Sequence, residues 1–213
     1  MKEKTKQIVV DLILRYPNLK FIESNLIKAI DMIINCYESG CKILVCGNGG
    51  SAADSLHIVG ELMKSFVLHR KLDESEKKKF YSNCSDADYI TSNLEKALPA
   101  ISLVNEIAFT SAFSNDKNSD MIFAQQVYGL GHRGDVLIAI STSGNSANIK
   151  YACEVAKTIG MYSIGLTGIS GGVLSSIVDV LINTPETETY KIQELHLPIY
   201  HTICLAVESD FFS

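Results

Sequence analysis

The chain has 213 residues, 46% of them apolar and 20% charged, with 14 Gly and 4 Pro. That is enough for one globular domain with a real core and too little for two full ones. Nineteen Lys and Arg against twenty-four Asp and Glu leave a net charge of -5, which argues against a nucleic-acid partner bound through a broad electrostatic footprint. No run of 18 apolar residues occurs, so neither a spanning helix nor a membrane partner is expected.

The opening Met1-Lys2-Glu3-Lys4-Thr5-Lys6 leads into mixed polar sequence with no apolar run of signal-peptide type. Apolar residues then recur at three and four from Ile8 to Tyr16, until Pro17-Asn18 breaks the pattern. A second helical pattern runs from Phe21 to Tyr37 and closes at Ser39-Gly40. These two amphipathic helices, within residues 1–40, must bury their apolar faces against the domain body or another subunit. After Gly40 come short apolar runs at Lys42–Cys46, Ala100–Val104, Val136–Ile140, Tyr162–Leu166 and Val180–Ile182, spaced widely enough for intervening helices. Strands alternating with helices predict an α/β fold with a parallel sheet covered on both faces. A last helix is expected from about Tyr190 to Phe212, with Pro198 producing a kink or a late start. Residues 67–99 break the regularity with the charged run Asp73-Glu74-Ser75-Glu76-Lys77-Lys78-Lys79. A solvated helix of mixed charge and a lid or partner-binding excursion are both open there. The cysteines at 36, 41, 46, 84, 153 and 204 form no C-x-x-C pair and sit mostly in apolar segments. They read as buried free thiols of a cytoplasmic protein rather than a thiolate metal site.

Four motifs carry chemistry. The first is Cys46-Gly47-Asn48-Gly49-Gly50-Ser51-Ala52-Ala53-Asp54, a glycine turn between a strand and a helix. It suits close approach of a ligand and an anion at the helix N-terminus, and it matches neither common nucleotide-binding glycine pattern. The second is Ser141-Thr142-Ser143-Gly144-Asn145-Ser146, whose hydroxyl and N–H donors suit a phosphate without a cationic side chain. The third, His57 and Glu61, shares one helical face at i, i+4. The fourth, Gln193 and His201, shares a face two turns apart, with His196 on another side as a structural histidine. Each has a plainer reading on its own: a tight turn, a helix cap, a surface pair. Two ligand-suited loops at strand ends belong together better, because parallel sheets bind ligands beyond the carboxyl ends of their strands.

In this order, over nearly the whole chain, CGNGGSAAD, His57 and Glu61, STSGNS and IQELH…H resemble the phosphoheptose isomerases of the sugar-isomerase (SIS) family. The resemblance implies a flavodoxin-like doubly wound parallel sheet with N-terminal helices, a single SIS domain over 1–213, and a homotetramer with sites between subunits. The activity it implies converts sedoheptulose 7-phosphate into glycero-manno-heptose 7-phosphate for surface-glycan heptose supply. Carried onto this chain, Ser141, Thr142, Ser143 and Ser146 form the phosphate cradle, Asn48 and Ser51 contact the sugar, and Asp116 contacts substrate hydroxyls. Glu61 and His201 are the acid–base pair, and His57, Glu61, Gln193 and His201 are a zinc site, with Gln193 also at the substrate. Tyr190 and the length of residues 67–99 depart from the family pattern. Isomerisation through an enediol needs a base over the carbon acid and a group that handles the oxygen protons. Glu61 suits the first role and His201 the second. Two other readings stand beside this one: a non-catalytic SIS module that binds a replication initiator protein, and an isomerase of another sugar phosphate.

Overall fold

The computed structural model describes residues 2–213; Met1, where the 1–40 segment begins, lies outside them. Helices α1 (Glu3–Arg15) and α2 (Glu23–Glu38) are joined by a 3-10 turn over Pro17–Ile22 and lead into β1 (Ile43–Gly47) and α3 (Gly50–Met63). Two short helices, α4 (Glu74–Tyr81) and α5 (Ala87–Asn93), precede β2 (Ala100–Ser102), α6 (Ile107–Asp116) and α7 (Ile122–Leu130). Then β3 (Val136–Ile140), α8 (Ala147–Thr158), β4 (Tyr162–Thr167) and β5 (Val180–Asn183) alternate towards the long α9 (Thr189–Phe212).

The five strands form one sheet in the order β2-β1-β3-β4-β5, and every pairing is parallel. This is the flavodoxin-like order that the resemblance implies. Strand alternation divides the core. Ile43 and Val45 of β1, with Ile138 and Ile140 of β3, face a layer built from α1, α2, α3 and α9. Leu44 and Cys46, with Leu137 and Ala139, face α7 and α8 through Phe123, Val127, Ile149 and Cys153. The N-terminal helices therefore bury their stripes within their own subunit, where Val9, Leu12, Leu26, Ile30 and Ile33 are at most 2% exposed.

Several expectations need correction. Helix α9 begins at Thr189, well before Pro198, so the late start is overturned. Burial of His196, Pro198, Ile199 and Tyr200 outweighs the one backbone bond that Pro198 removes, and Thr202 Oγ1 donates to the Pro198 carbonyl at 2.8 Å. Residues 67–99 hold two short helices rather than one. Asp73 and Glu76 close a capping box at the first, and Lys96 pairs with both carboxylates at 2.9 and 3.0 Å. Of the cysteines, Cys36, Cys46, Cys153 and Cys204 are buried, whereas Cys41 and Cys84 are half-buried; all six are free. Among the described residues no helix is long and apolar enough to cross a membrane.

Candidate active site

The chain leaves β1 towards β2 on one side and later returns to β3 on the other, which opens a crevice at the strand ends between β1 and β3. Gly47 pairs with Ile140 at that edge, so the two motif loops emerge side by side. They enclose a cavity of about 250 Å3 lined by Asn48, Ser51, Ser141, Thr142, Ser146 and Gln193, with Gly49, Gly50, Ile140 and Thr189. The loops need their glycines: a Cβ on Gly47 would stand 2.4 Å from the Ser51 carbonyl oxygen, and one on Gly144 (φ +66) would stand 2.1 Å from that of Gly171. Ser51 and Ser141 are buried. Ser146 stands at the N-cap of α8 without capping it; its hydroxyl lies 3.1 Å from that of Ser141 instead. The helix-cap reading of this motif is thereby set aside. Ser143 lines an adjoining cavity of about 240 Å3 with Thr142 and Asn145, and its Oγ accepts the Asn145 N–H at 3.1 Å.

Sequence reasoning missed Asn148 and Thr189. Asn148 exchanges two amide hydrogen bonds with Asn48, at 2.9 and 3.0 Å, and ties the two loops together. Its signal was there: it lies in the first turn of the helix that follows the hydroxyl motif.

A second cluster lies further along α3 and α9. His57 Nε2 stands 3.3 Å from Glu61 Oε1 and 3.4 Å from His201 Nε2. The other Glu61 oxygen accepts from Lys64 Nζ at 3.1 Å. Burial, reinforced by the neighbouring His57, pushes the His201 imidazole below its ordinary value, against the pull of Glu61. Behind His57, also unforeseen, Tyr200 Oη stands 3.0 Å from His57 Nδ1 and 3.3 Å from Asp54 Oδ1. His196 is buried with Nε2 3.3 Å from the Thr167 carbonyl oxygen, and burial pushes its pKa down to about 4.

Among the described residues no three His, Cys, Asp or Glu side chains stand ready as a metal cage. The contacts at His57 Nε2 are pairwise, 3.3 Å to Glu61 Oε1 and 3.4 Å to His201 Nε2; among the described residues no ion pair between Glu61 and His201 closes them into a group of three. Within one chain Gln193 is not beside them. It packs against Gly50, where a Cβ would meet its amide at 2.5 Å, and eight residues of helix separate it from His201, about 12 Å of rise. Asp116 is also apart: it ends α6 on the surface, with Asn115 Nδ2 donating to it at 3.0 Å.

Residues 18–79 and 90–168 match the SIS domain. The interruption, 80–89, falls inside the charged excursion. The phosphoheptose isomerase of Crocosphaera subtropica is 39% identical over 86% of this chain and 81% of its own length. That of Campylobacter jejuni is 34% identical over 90% of each. This chain belongs to the phosphoheptose isomerase family of SIS-domain proteins. Phosphoheptose isomerase structures from Neisseria gonorrhoeae and Francisella tularensis superpose with TM-scores of 0.74 and 0.73, at 32% and 31% identity. The first covers 94% of both chains, and the second 97% of this chain and 94% of its own.

Proposed function

We propose that this member of the phosphoheptose isomerase family is a sugar-phosphate aldose–ketose isomerase that converts D-sedoheptulose 7-phosphate into D-glycero-D-manno-heptose 7-phosphate. The observation that carries the reading is the pairing of two sites along the same two helices. Gln193 meets Gly50 at one end, and His201 meets His57 further along. The seven residues from Gly50 to His57 span about 10.5 Å. An extended seven-carbon chain places its phosphorus about 10 Å from C1. A phosphate held by the hydroxyl loops would therefore set C1 and C2 near Glu61 and His201.

The phosphate enters a cavity without lysine or arginine in its lining. Its donors are the hydroxyls of Ser51, Ser141, Thr142 and Ser146 and the first-turn N–H groups of α3 and α8, where the helix dipoles favour an anion. Anchoring this remote group positions the uncharged reacting carbons. Glu61, as the base, removes a proton from C1 of the ketose and returns it to C2. His201, kept neutral by its surroundings, accepts the O1 proton and delivers it to O2. The net change is one C–H and one O–H exchanged between neighbouring carbons through the enediol.

His57, Glu61 and His201 would hold a zinc ion, which supplies a Lewis acid that polarises the ketose carbonyl when bound. Gln193 belongs with the substrate in this reading, as the sugar contact nearest the phosphate. The chain is further proposed to work as a homotetramer in the cytoplasm. Support for the assembly comes from α6, which buries none of its residues although it carries Ile107, Phe109, Ala112 and Phe113. Covering that face with another copy would bring Asp116 to a site it does not reach alone. No observation favours the non-catalytic alternative.

The test is direct. Purified protein is incubated with sedoheptulose 7-phosphate and with a panel of shorter ketose phosphates, and the products are resolved by chromatography. Conversion of the heptulose phosphate alone is expected, with Glu61→Gln inactive. Conversion of a shorter sugar in preference to it overturns the substrate assignment.

A further inference from the structure

The glycine turn after β1 carries a single side chain by which the rest of the fold can grip it. Asn48 stands between Gly47 and the pair Gly49-Gly50, and Gly49 sits at φ +54 with open space where a Cβ would be. Three glycines in four residues leave the backbone many conformations unless something outside restrains it. Yet this turn delivers half of the proposed phosphate cradle, the Ser51 hydroxyl and the first N–H groups of α3. The other half, Ser141, Thr142, Ser146 and the first turn of α8, stands on the neighbouring loop. The strand ladder fixes the two loops where they leave the sheet, at Gly47 and Ile140, and no further.

Asn48 spans the gap beyond it. Its Nδ2 donates to Asn148 Oδ1 at 2.9 Å and Asn148 Nδ2 donates back to its Oδ1 at 3.0 Å, a closed ring of two amide bonds. Among the described residues these are the only side-chain hydrogen bonds between the two loops. Asn145, the other asparagine of the hydroxyl motif, is engaged elsewhere. Its Oδ1 accepts the Val173 N–H at 2.9 Å and its Nδ2 donates to the Ser143 carbonyl at 3.1 Å. Asn148 is the second residue of α8, which the buried Ile149, Ala152 and Cys153 anchor to the core. A packed helix therefore holds a pliable turn through one amide ring. Each amide keeps one N–H and one oxygen lone pair outside that ring, so Asn48 can be held and still meet a sugar hydroxyl.

We infer that Asn148 is a positioning residue that holds the glycine turn in its anion-binding conformation through Asn48, so that both halves of the cradle stand in register before a phosphate arrives. The inference rests on the proposed reading that this crevice takes the substrate phosphate. When only a fraction of molecules holds the competent conformation, apparent affinity falls by that fraction. One neutral hydrogen bond shifts an equilibrium by about two- to tenfold. Opening the ring should therefore weaken phosphate by about three- to tenfold, with no group that touches the anion removed.

The experiment uses full-length protein: wild type, Asn148→Ala, Asn48→Ala, the double variant and Ser141→Ala. Binding of inorganic phosphate is followed by 31P line broadening, which needs no turnover, and KM and kcat are measured with sedoheptulose 7-phosphate. Ala is a better helix former than Asn, so α8 stays intact and the circular dichroism and Tm of Asn148→Ala should match wild type. Asn148→Ala is expected to weaken phosphate about three- to tenfold and to raise KM by the same factor with kcat unchanged. In the Asn48→Ala background the same substitution should add nothing, because Asn148 acts only through Asn48. Unchanged phosphate affinity in Asn148→Ala overturns the inference, and so does an equal loss in both backgrounds. Ser141→Ala separates the two readings. If it weakens phosphate while Asn148→Ala does not, the role of Asn148 falls alone; if it leaves phosphate unchanged, the cradle falls and the role of Asn148 with it.

Discussion

Arg70 and Glu208 join the end of α3 to α9, and their removal should be felt at Glu61. Both side chains are buried, at 0% and 1% exposure, with Arg70 Nε 2.8 Å from Glu208 Oε1. The guanidinium also donates to the carbonyls of Leu62 at 2.6 Å and Glu61 at 3.1 Å, the last turn of α3. The carboxylate accepts three further bonds, from the N–H groups of Phe66 and Val67 at 2.8 Å and Leu68 at 3.1 Å. Removing one partner of a buried pair costs about 3–5 kcal/mol. Arg70→Met keeps the stem and leaves Glu208 its three backbone donors, so the low end, about 3 kcal/mol, is expected. At about 2–4 °C per kcal/mol for a chain of this length, Tm falls by about 6–12 °C.

Glu208→Leu should cost more, because it strands the guanidinium and three N–H groups together. Replacing both members of a simple buried pair with apolar residues is often neutral. Here the double variant should remain about 3 kcal/mol below wild type, at about 1 kcal/mol for each N–H left without its acceptor. Urea and thermal unfolding of the four proteins close the cycle. A double variant as stable as wild type, or an Arg70→Met loss under about 1 kcal/mol, would refute the anchoring argument. The pH dependence has a defined sign. Burial pushes the Glu208 carboxyl up, but the three N–H donors and Arg70 outweigh it and hold it below the ordinary 4.5. Its contribution is therefore complete above pH 4.5 and is lost as pH falls through the lower folded value.

Three more outcomes are expected. Glu61→Gln should keep its circular dichroism and its Tm while turnover falls about 10²–10⁴-fold, the usual worth of a general base; retained turnover in a progress-curve assay would remove Glu61 from that role. Ser141→Ala should raise KM for the sugar phosphate about tenfold or more, as the loss of one hydrogen bond to a charged group, and weaken inorganic phosphate as a competitive inhibitor in parallel. His196 is buried neutral with its pKa pushed down from 6.5 to about 4, so its stabilisation is present above pH 6.5 and lost as pH falls towards 4. That is about 3 kcal/mol over the window, and the slope of unfolding free energy against pH should flatten there in His196→Asn.

Much of this was legible along the chain. The central strands β1 and β3 announced themselves as unbroken apolar runs, because a parallel strand buried on both faces has no polar positions to interrupt it; the other three read as shorter or serine-interrupted runs. The two loops were legible because few residue types serve a turn that must admit an anion: Gly47 tolerates no Cβ, and Ser51 and Ser141 supply donors without charge. The His57–Glu61 spacing placed both on one helical face. Pro198 misled because local helix propensity takes no account of a segment packed on several sides. The 67–99 segment resisted because its charges satisfy one another, Asp73 and Glu76 with Lys96, across separations that no periodicity records.

Local sequence therefore determined the elements, the chemistry carried by each motif and the family to which the chain belongs, since those depend on neighbours within a few residues. Which motifs meet was decided by the tertiary structure. The strand order brings the loops at 47–51 and 141–146 to one crevice and binds Asn48 to Asn148. The packing of α9 on α3 sets His201 against His57 and separates both from Gln193, and it brings Tyr200 to Asp54, the last residue of the glycine motif. Contacts across 100 or more residues depend on how the sheet is wound and how helices dock, and the pattern of a single segment carries no record of either.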